Sequence, residues 1–230
     1  MQHRSSTLIT TVIFDFDGVL ADTEGLHLRA FQDIFATRGW NLDEAAYFDR
    51  YLGCDDRGLV VAYAHDHAIS LTDADIRSMV DAKAHAFAGY MATGDVLFRG
   101  ARDCVAELAG RYSLGIASGA LHVEIVTILQ AGRLLDAFRV IVGADDVASC
   151  KPSPEPYLTA AARLGVAPSA CVAVEDSAPG LQAAQAAGMR TIGMTTTSPR
   201  HLLAGADRVI GSLQELSPAL IEALGTAPRL

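Results

Sequence analysis

The chain has 230 residues, of which half are hydrophobic and 20% are charged. That length suits one large domain with an insertion or two modest domains, and the composition excludes a disordered chain. A formal net charge of -9 without any basic run argues against general binding to nucleic acid, although a local cation can still favour a small anionic substrate.

The cysteines and the hydropathy pattern exclude further classes. The four cysteines lie far apart without C-x-x-C spacing, which predicts reduced residues rather than a zinc site or a redox pair: Cys54, Cys104, Cys150 and Cys171. The residues up to Thr11 are polar, and no apolar run approaches the ~18 residues of a membrane span. We therefore expect no signal peptide, no membrane contact and a cytoplasmic protein.

The first predicted strand covers residues 11–16, a β-branched and aromatic run that ends at Asp17-Gly18. From Thr23 to about residue 92 the sequence contains no convincing strand. Amphipathic helices are predicted there instead, over residues 25–38, 56–68 and 73–91. This block is expected to be an all-helical insertion.

The rest of the chain alternates between predicted helices and short apolar strands. Helices are predicted over 100–111, 121–131, 154–164 and 178–187, and strands over 113–117, 139–142, 171–174 and 190–193. A helix at 199–204, an edge strand at 207–210 and a helix near 213–224 follow. The alternation predicts a doubly wound, Rossmann-like α/β core with a parallel sheet, whose ligands collect at the carboxyl ends of the strands.

Asp15 and Asp17 flank Phe16 at the end of the first predicted strand. Strand alternation would place both carboxylates on one side if the strand continued through them. Such a pair persists when a cation holds it or when one member carries a proton, which suggests a Mg²⁺ site with acid/base capacity. The alternative is an Asx-type turn in which Asp17-Gly18 simply ends the strand.

Glu175 and Asp176 follow another apolar strand, and Ser177 then opens a predicted helix. Asp176 or Ser177 could act only as a helix N-cap. However, a shared strand-end location with Asp15 and Asp17 would gather four carboxylates, and that cluster would repel itself strongly without a cation. Taken together, the two segments favour a metal site.

Ser118-Gly119 and Lys151 are candidate phosphate contacts. Ser118 and Gly119 lie between a strand and a helix, where a hydroxyl and backbone N–H groups suit a phosphate group. Lys151 precedes a run with three prolines that stiffens the chain and starts a helix. The alternatives are an ordinary serine N-cap and an exposed loop lysine.

Four segments occur in a fixed order along the chain: Asp15-Phe-Asp-Gly-Val-Leu-Ala-Asp-Thr-Glu24, Ser118-Gly119, Lys151-Pro-Ser-Pro-Glu-Pro-Tyr157 and Val174-Glu-Asp-Ser177. They resemble the four motifs of the haloacid dehalogenase-like hydrolase superfamily, over residues 11 to about 210. The resemblance is closest to the subgroup that contains β-phosphoglucomutase and phosphoglycolate-type phosphatases. It implies a catalytic core formed by residues 1–22 and 93–230, and a helical cap formed by residues 23–92.

The resemblance also implies a mechanism. Asp15 attacks phosphorus to form an aspartyl-phosphate, and Asp17 acts as general acid and then as general base. Ser118 and Lys151 stabilise the transferring phosphoryl group, and Gly18 and Gly119 belong to the expected substrate-binding set. The expected cofactor is Mg²⁺, held by Asp15, the backbone carbonyl of Asp17, Glu175 and Asp176.

The cap is expected to choose the substrate. His27 matches a histidine at the cap hinge of β-phosphoglucomutase, and Lys83 resembles a substrate-facing lysine of that enzyme. The alternatives are an ordinary helix-face histidine and a solvated helix lysine. Asp56 falls where the mutase carries an arginine for a distal phosphate, and Arg57 is one residue late. Since Ala120-Leu121 also stands where the mutase pattern calls for Ser-Lys, we place a phosphatase ahead of a mutase.

The expected function is thus a Mg²⁺-dependent phosphatase for a small phosphorylated, sugar-phosphate-like metabolite, acting as a monomer or a weak homo-oligomer. The alternative is a β-phosphoglucomutase-like sugar-phosphate mutase. A catalytically silent relative that binds a phosphorylated metabolite is a third interpretation, although every motif position carries a competent residue.

Overall fold

The structure, a computed structural model, describes residues 8–52, 54–91 and 96–226. It divides into two compact units. Unit 1 comprises Met1–Ala21 and Leu97–Leu230, and unit 2 comprises Asp22–Val96, so that unit 2 interrupts the sequence of unit 1. The predicted boundary between residues 92 and 93 lies outside the described residues. The catalytic and cap roles expected of the two parts of the chain stay predictions.

Unit 1 is built on a six-stranded parallel sheet. Its strands are β1 (Thr11–Phe14), β2 (Ser113–Ala117), β3 (Phe138–Val142), β4 (Cys171–Glu175), β5 (Arg190–Met194) and β6 (Arg208–Ile210). Their order across the sheet is β3-β2-β1-β4-β5-β6. The central strands β1 and β4 consist of fully buried residues, as expected when helices cover both faces of a parallel sheet. The predicted doubly wound α/β fold is confirmed.

All the regular secondary structure that the structure describes in unit 2 is helical. It contains α1 (Glu24–Ala36), α2 (Glu44–Ala46), α3 (Asp56–Asp66) and α4 (Asp73–Met91), with a π-helical turn at Tyr47–Tyr51. The α2 helix and the π-helical turn were not predicted, because they form only one short unit. The start of α2 is fixed by Asp43, whose side chain accepts a hydrogen bond from the Ala46 N–H at 2.9 Å. Tyr47 and Tyr51 of the π-helical turn are buried in the hydrophobic core of unit 2.

The helices of unit 1 are α5 (Ala101–Ala109), α6 (His122–Ala131), α7 (Glu155–Leu164), α8 (Ala178–Ala186) and α9 (Pro218–Thr226). The predicted helix at 199–204 is instead a single 3-10 turn, Arg200–Leu203. The predicted helix near 213–224 is divided into a 3-10 turn, Leu213–Glu215, and α9, since a proline at the start of α9 cannot continue a preceding helix. Within the described residues, no helix is both long and apolar enough to cross a membrane.

The strand order reverses at β1. Along the chain the sheet grows from β1 through β2 to β3 on one side, and from β4 to β6 on the other. In open α/β sheets, ligands bind at such a switch point, outside the carboxyl ends of the strands. The segments that follow β1, β2 and β4 are therefore where a site is expected.

Candidate active site

Asp15 and Asp17 follow β1 but turn toward different partners. The Asp15 N–H donates to Val174 of β4 at 2.9 Å, and the Asp15 side chain is buried. β1 ends at Phe14, two residues before its predicted end, because the chain turns at Gly18, which has φ +71°. Strand alternation therefore does not extend to Asp17. Its Oδ2 lies 3.5 Å from the hydroxyl of Ser118.

Lys151 joins two of the predicted site carboxylates. Its Nζ lies 2.9 Å from Asp15 Oδ1 and 2.5 Å from Glu175 Oε1, and the side chain is almost fully buried. The alternative of an exposed loop lysine is therefore wrong. Burial lowers the pKa of Lys151, but the charges of Asp15 and Glu175 outweigh that effect and keep the pKa above its ordinary value. The ammonium stays protonated.

Glu175 is fixed by three side-chain donors. Besides Lys151, its Oε1 accepts from the Tyr157 hydroxyl at 2.6 Å, and its Oε2 accepts from Ser177 Oγ at 3.1 Å. A Cβ atom at Gly180 would lie 2.0 Å from the Glu175 carboxylate, so this glycine permits the close approach of α8. Ser177 is the N-cap of α8 and accepts from the Gly180 N–H. The N-cap interpretation thus holds for Ser177.

Asp176 belongs to a buried group of three carboxylates. One carboxylate oxygen each from Asp15, Glu175 and Asp176 lies within 4.8 Å of the other two. Three hard oxygen donors of this kind fit Mg²⁺, and a bound cation would offset the repulsion between the three carboxylates. The Asp17 carboxylate lies outside the group. Burial, together with the charge of Glu175, raises the pKa of Asp15 well above its usual range, and Lys151 opposes that rise only in part.

The segment after β2 holds Ser118 beside Asp17. The Ser118 N–H donates to Val142 of β3 at 3.0 Å, and its hydroxyl accepts from the Ala120 N–H at 3.1 Å. The following helix, α6, has Leu121 as its N-cap, so the alternative that Ser118 is an ordinary N-cap is wrong. Gly119 lies next to Ser118 in the same turn. The structure therefore brings together all eight site residues predicted in unit 1: Asp15, Asp17, Gly18, Ser118, Gly119, Lys151, Glu175 and Asp176.

Three of the predicted cap residues form one cluster within unit 2. Lys83 is fully buried, and its Nζ lies 2.8 Å from Asp56 Oδ1 and 4.7 Å from the centre of the Phe87 ring. The His27 ring stacks on the Phe87 ring, with 4.1 Å between the ring centres. Arg57 lies apart from this cluster and forms an exposed ion pair with Asp73 at 2.9 Å. The alternative of a solvated helix lysine is wrong for Lys83. The roles of these four residues in binding substrate stay predictions.

Two residues near the site had no role in the sequence analysis. Tyr157 was quoted only as part of a motif, although its place in the first turn of α7, shortly after Lys151, was a usable signal. Thr196 follows β5, and its hydroxyl donates to the carbonyl of Gly18. The hydroxyl-rich run that begins at Thr195, at the carboxyl end of a strand adjacent to β4, could have indicated this contact.

Comparison with known proteins identifies the family. The family described as haloacid dehalogenase-like hydrolase matches residues 12–194, which is most of the chain. The chain belongs to this family. Its family membership makes it a hydrolase, as the four motifs predicted.

Similar members of the haloacid dehalogenase-like hydrolase family include named proteins of known structure or activity. Protein CbbY of Cereibacter sphaeroides is 35% identical over 217 residues, which cover 91% of this chain and 94% of that protein. Hexitol phosphatase B of Escherichia coli K12 is 33% identical over 215 residues, with coverages of 91% and 95%. A crystal structure of mutant CbbY from Rhodobacter sphaeroides in complex with xylulose-(1,5)bisphosphate has a TM-score of 0.83 at 34% identity, covering 92% of this chain and 98% of that chain.

Proposed function

We propose that this protein is a Mg²⁺-dependent phosphatase that hydrolyses a small, sugar-like phosphate ester. The observation that carries the proposal is the pairing of Lys151 with Asp15 and Glu175 inside a group of three buried carboxylates. A buried ammonium beside three carboxylates that can hold a cation, all at the carboxyl edge of the sheet, suits an anionic phosphate ester. Support also comes from two similar proteins, one named a hexitol phosphatase and the other crystallised with a sugar bisphosphate.

In the proposed first step, an Asp15 carboxylate oxygen attacks phosphorus, and the bond from phosphorus to the ester oxygen breaks. Asp17 gives a proton to the departing alkoxide, so that the sugar leaves as a neutral alcohol. Asp17 suits this task because it lies two residues after Asp15 yet outside the group formed by Asp15, Glu175 and Asp176. The product of this step is an aspartyl-phosphate on Asp15.

In the proposed second step, water loses a proton to the Asp17 carboxylate and attacks the phosphorus of the aspartyl-phosphate. The bond between Asp15 and phosphorus breaks, which releases inorganic phosphate and restores both aspartates. Ser118 and Lys151 donate to the phosphoryl oxygens in both steps, where transition-state charge accumulates. Asp15, Glu175, Asp176 and the Asp17 backbone carbonyl would hold Mg²⁺, which when bound neutralises charge between the nucleophile and the phosphate.

The proposal is tested by measuring phosphate release with Mg²⁺ over a panel of substrates. The panel contains hexitol phosphates, sugar mono- and bisphosphates, phosphoglycolate, nucleotides and both anomers of glucose 1-phosphate, and the Asp15→Asn variant serves as the blank. Release from one chemical group identifies the substrate class. Formation of glucose 6-phosphate from the β-anomer with little release would instead identify a mutase, and no turnover of any ester would contradict the proposal.

A further inference from the structure

Tyr157 brings a buried hydroxyl to the centre of the candidate site, although the proposed mechanism gives it no task. It lies in the first turn of α7, and none of its surface is exposed. Its hydroxyl donates to Glu175 Oε1 at 2.6 Å, and Lys151 Nζ lies 5.2 Å from the centre of its ring. The residue therefore contacts both members of one ion pair.

The hydrogen bonds to Glu175 leave its carboxylate little freedom. Oε1 accepts from both Tyr157 and Lys151, and an oxygen of this kind offers about two lone-pair sites. Oε2 accepts from Ser177 at 3.1 Å, and the carboxylate is fully buried. Three donors, two from the segment Lys151–Tyr157 and one from Ser177, thus fix the orientation of Glu175.

The ammonium of Lys151 is divided between two acceptors, Glu175 Oε1 at 2.5 Å and Asp15 Oδ1 at 2.9 Å. Tyr157 and Lys151 share the lone pairs of Oε1, so the hydrogen bond from Tyr157 takes up part of the negative charge there and weakens the pull of Glu175 on the ammonium. Without that bond, Glu175 would attract Lys151 more strongly. The ammonium would then move away from Asp15 and from any group bound to it.

We infer that Tyr157 is a positioning residue that acts through Glu175 to keep Lys151 within reach of Asp15. The inference rests on the proposed function, because it concerns the lysine that the mechanism uses to stabilise the phosphoryl group. It assigns to Tyr157 no contact with the reacting atoms. It also differs from a packing role, which the aromatic ring alone would fulfil.

The Tyr157→Phe variant separates the hydroxyl from the ring. We expect kcat for phosphate release to fall roughly 10- to 100-fold, the effect of losing a buried hydrogen bond to a charged group, with KM changed less than about threefold. The matched control is Tyr63→Phe, since the buried Tyr63 hydroxyl donates to the Asn41 carbonyl of unit 2 at 3.0 Å. This control should lower thermal stability without lowering kcat.

A double-mutant cycle with Glu175→Gln tests whether Tyr157 acts through Glu175. If it does, Tyr157→Phe should change kcat less than about threefold when Glu175 is already glutamine. An undiminished effect in that background, or a kcat within about twofold of wild type for Tyr157→Phe alone, would overturn the inference. A wild-type protein without any phosphate release would overturn the proposed function first and this role with it.

Discussion

The carboxylate of Asp176 lies directly against the main chain of Gly18. A Cβ atom at Gly18 would be 1.9 Å from Asp176 Oδ2 and 2.7 Å from Thr197 Oγ1. The Asp176 side chain is buried and the Thr197 side chain is half-buried. The turn that carries Asp17 is thereby held close to the carboxylate group, and only glycine allows this approach.

The Gly18→Ala variant should lose most of its activity, because the added methyl group pushes the turn away from Asp176. Gly39→Ala is the matched control, since Gly39 has nearly the same φ, +73° against +71°, but no atom within 4 Å of its Cβ position. The control carries only the cost of a left-handed alanine, roughly 1 kcal/mol of unfolding free energy. Urea unfolding and phosphate release measure the two effects, and equal losses in both variants would contradict the argument.

The Asp15→Asn variant should lower phosphate release by roughly 1,000-fold or more, because an amide is a poor nucleophile for phosphorus. Its circular dichroism spectrum should match that of the wild type. Asp43→Asn is the control, because Asp43 is an exposed helix N-cap in unit 2 and asparagine caps equally well. Substantial residual turnover by Asp15→Asn would remove the nucleophile assignment.

The Asp17→Asn variant should slow hydrolysis of alkyl phosphates by about 100-fold or more, the usual contribution of general acid and base groups. With p-nitrophenyl phosphate, the leaving group needs no proton, so the first step should survive. We expect a rapid burst of p-nitrophenol equal to the enzyme concentration, followed by slow release. Asp103→Asn, an exposed change on α5, is the control. Unchanged turnover would exclude the acid/base role.

Mg²⁺ should stabilise the protein more at mildly alkaline than at mildly acidic pH. Burial and the charge of Glu175 raise the pKa of Asp15, so the stability linked to this group is present at low pH and is lost as pH rises through the folded pKa. A cation that holds the ionised carboxylates offsets this loss. The measurement is the Mg²⁺-induced shift in Tm at two pH values, with potassium chloride at matched ionic strength. An equal shift at both would contradict the prediction.

The Asp56→Asn variant should destabilise the protein by about 3 kcal/mol, because it leaves the fully buried Lys83 without its carboxylate. Asp73→Asn breaks the exposed pair with Arg57 instead and should have little measurable effect on urea unfolding. The two variants make the same chemical change in unit 2. Similar unfolding free energies for both would show that the buried pair contributes nothing.

Much of unit 1 could be predicted from the sequence, because its strands are short apolar runs bounded by turn residues. The strand-end positions of Asp15, Ser118 and Glu175 followed from those runs, since parallel strands place their carboxyl ends at one edge. The motifs then named the same residues independently. Because the local sequence pattern and the sheet topology indicated the same edge of the sheet, the proximity of these residues could be predicted.

The partners of those residues could not be predicted, because they depend on packing between distant segments. Nothing in the local sequence indicates that Tyr157 donates to Glu175 or that Asp56 pairs with Lys83. Strand alternation also failed for Asp17, since β1 ends at Phe14 and the chain bends at Phe16 before the turn at Gly18. The short π-helical turn at Tyr47–Tyr51 lacks the length that makes a periodic pattern visible.

The central place of β1 has a consequence for biosynthesis. This strand is made first, but Thr11 pairs with Ser113 on one side and with Cys171 on the other. The nascent chain must therefore keep one side of this apolar strand unpaired until β4 has been made. Such long-range pairing slows folding and exposes a strand to aggregation. A chain that stops before β4 would contain Asp15 but could never bring Glu175 and Asp176 to it.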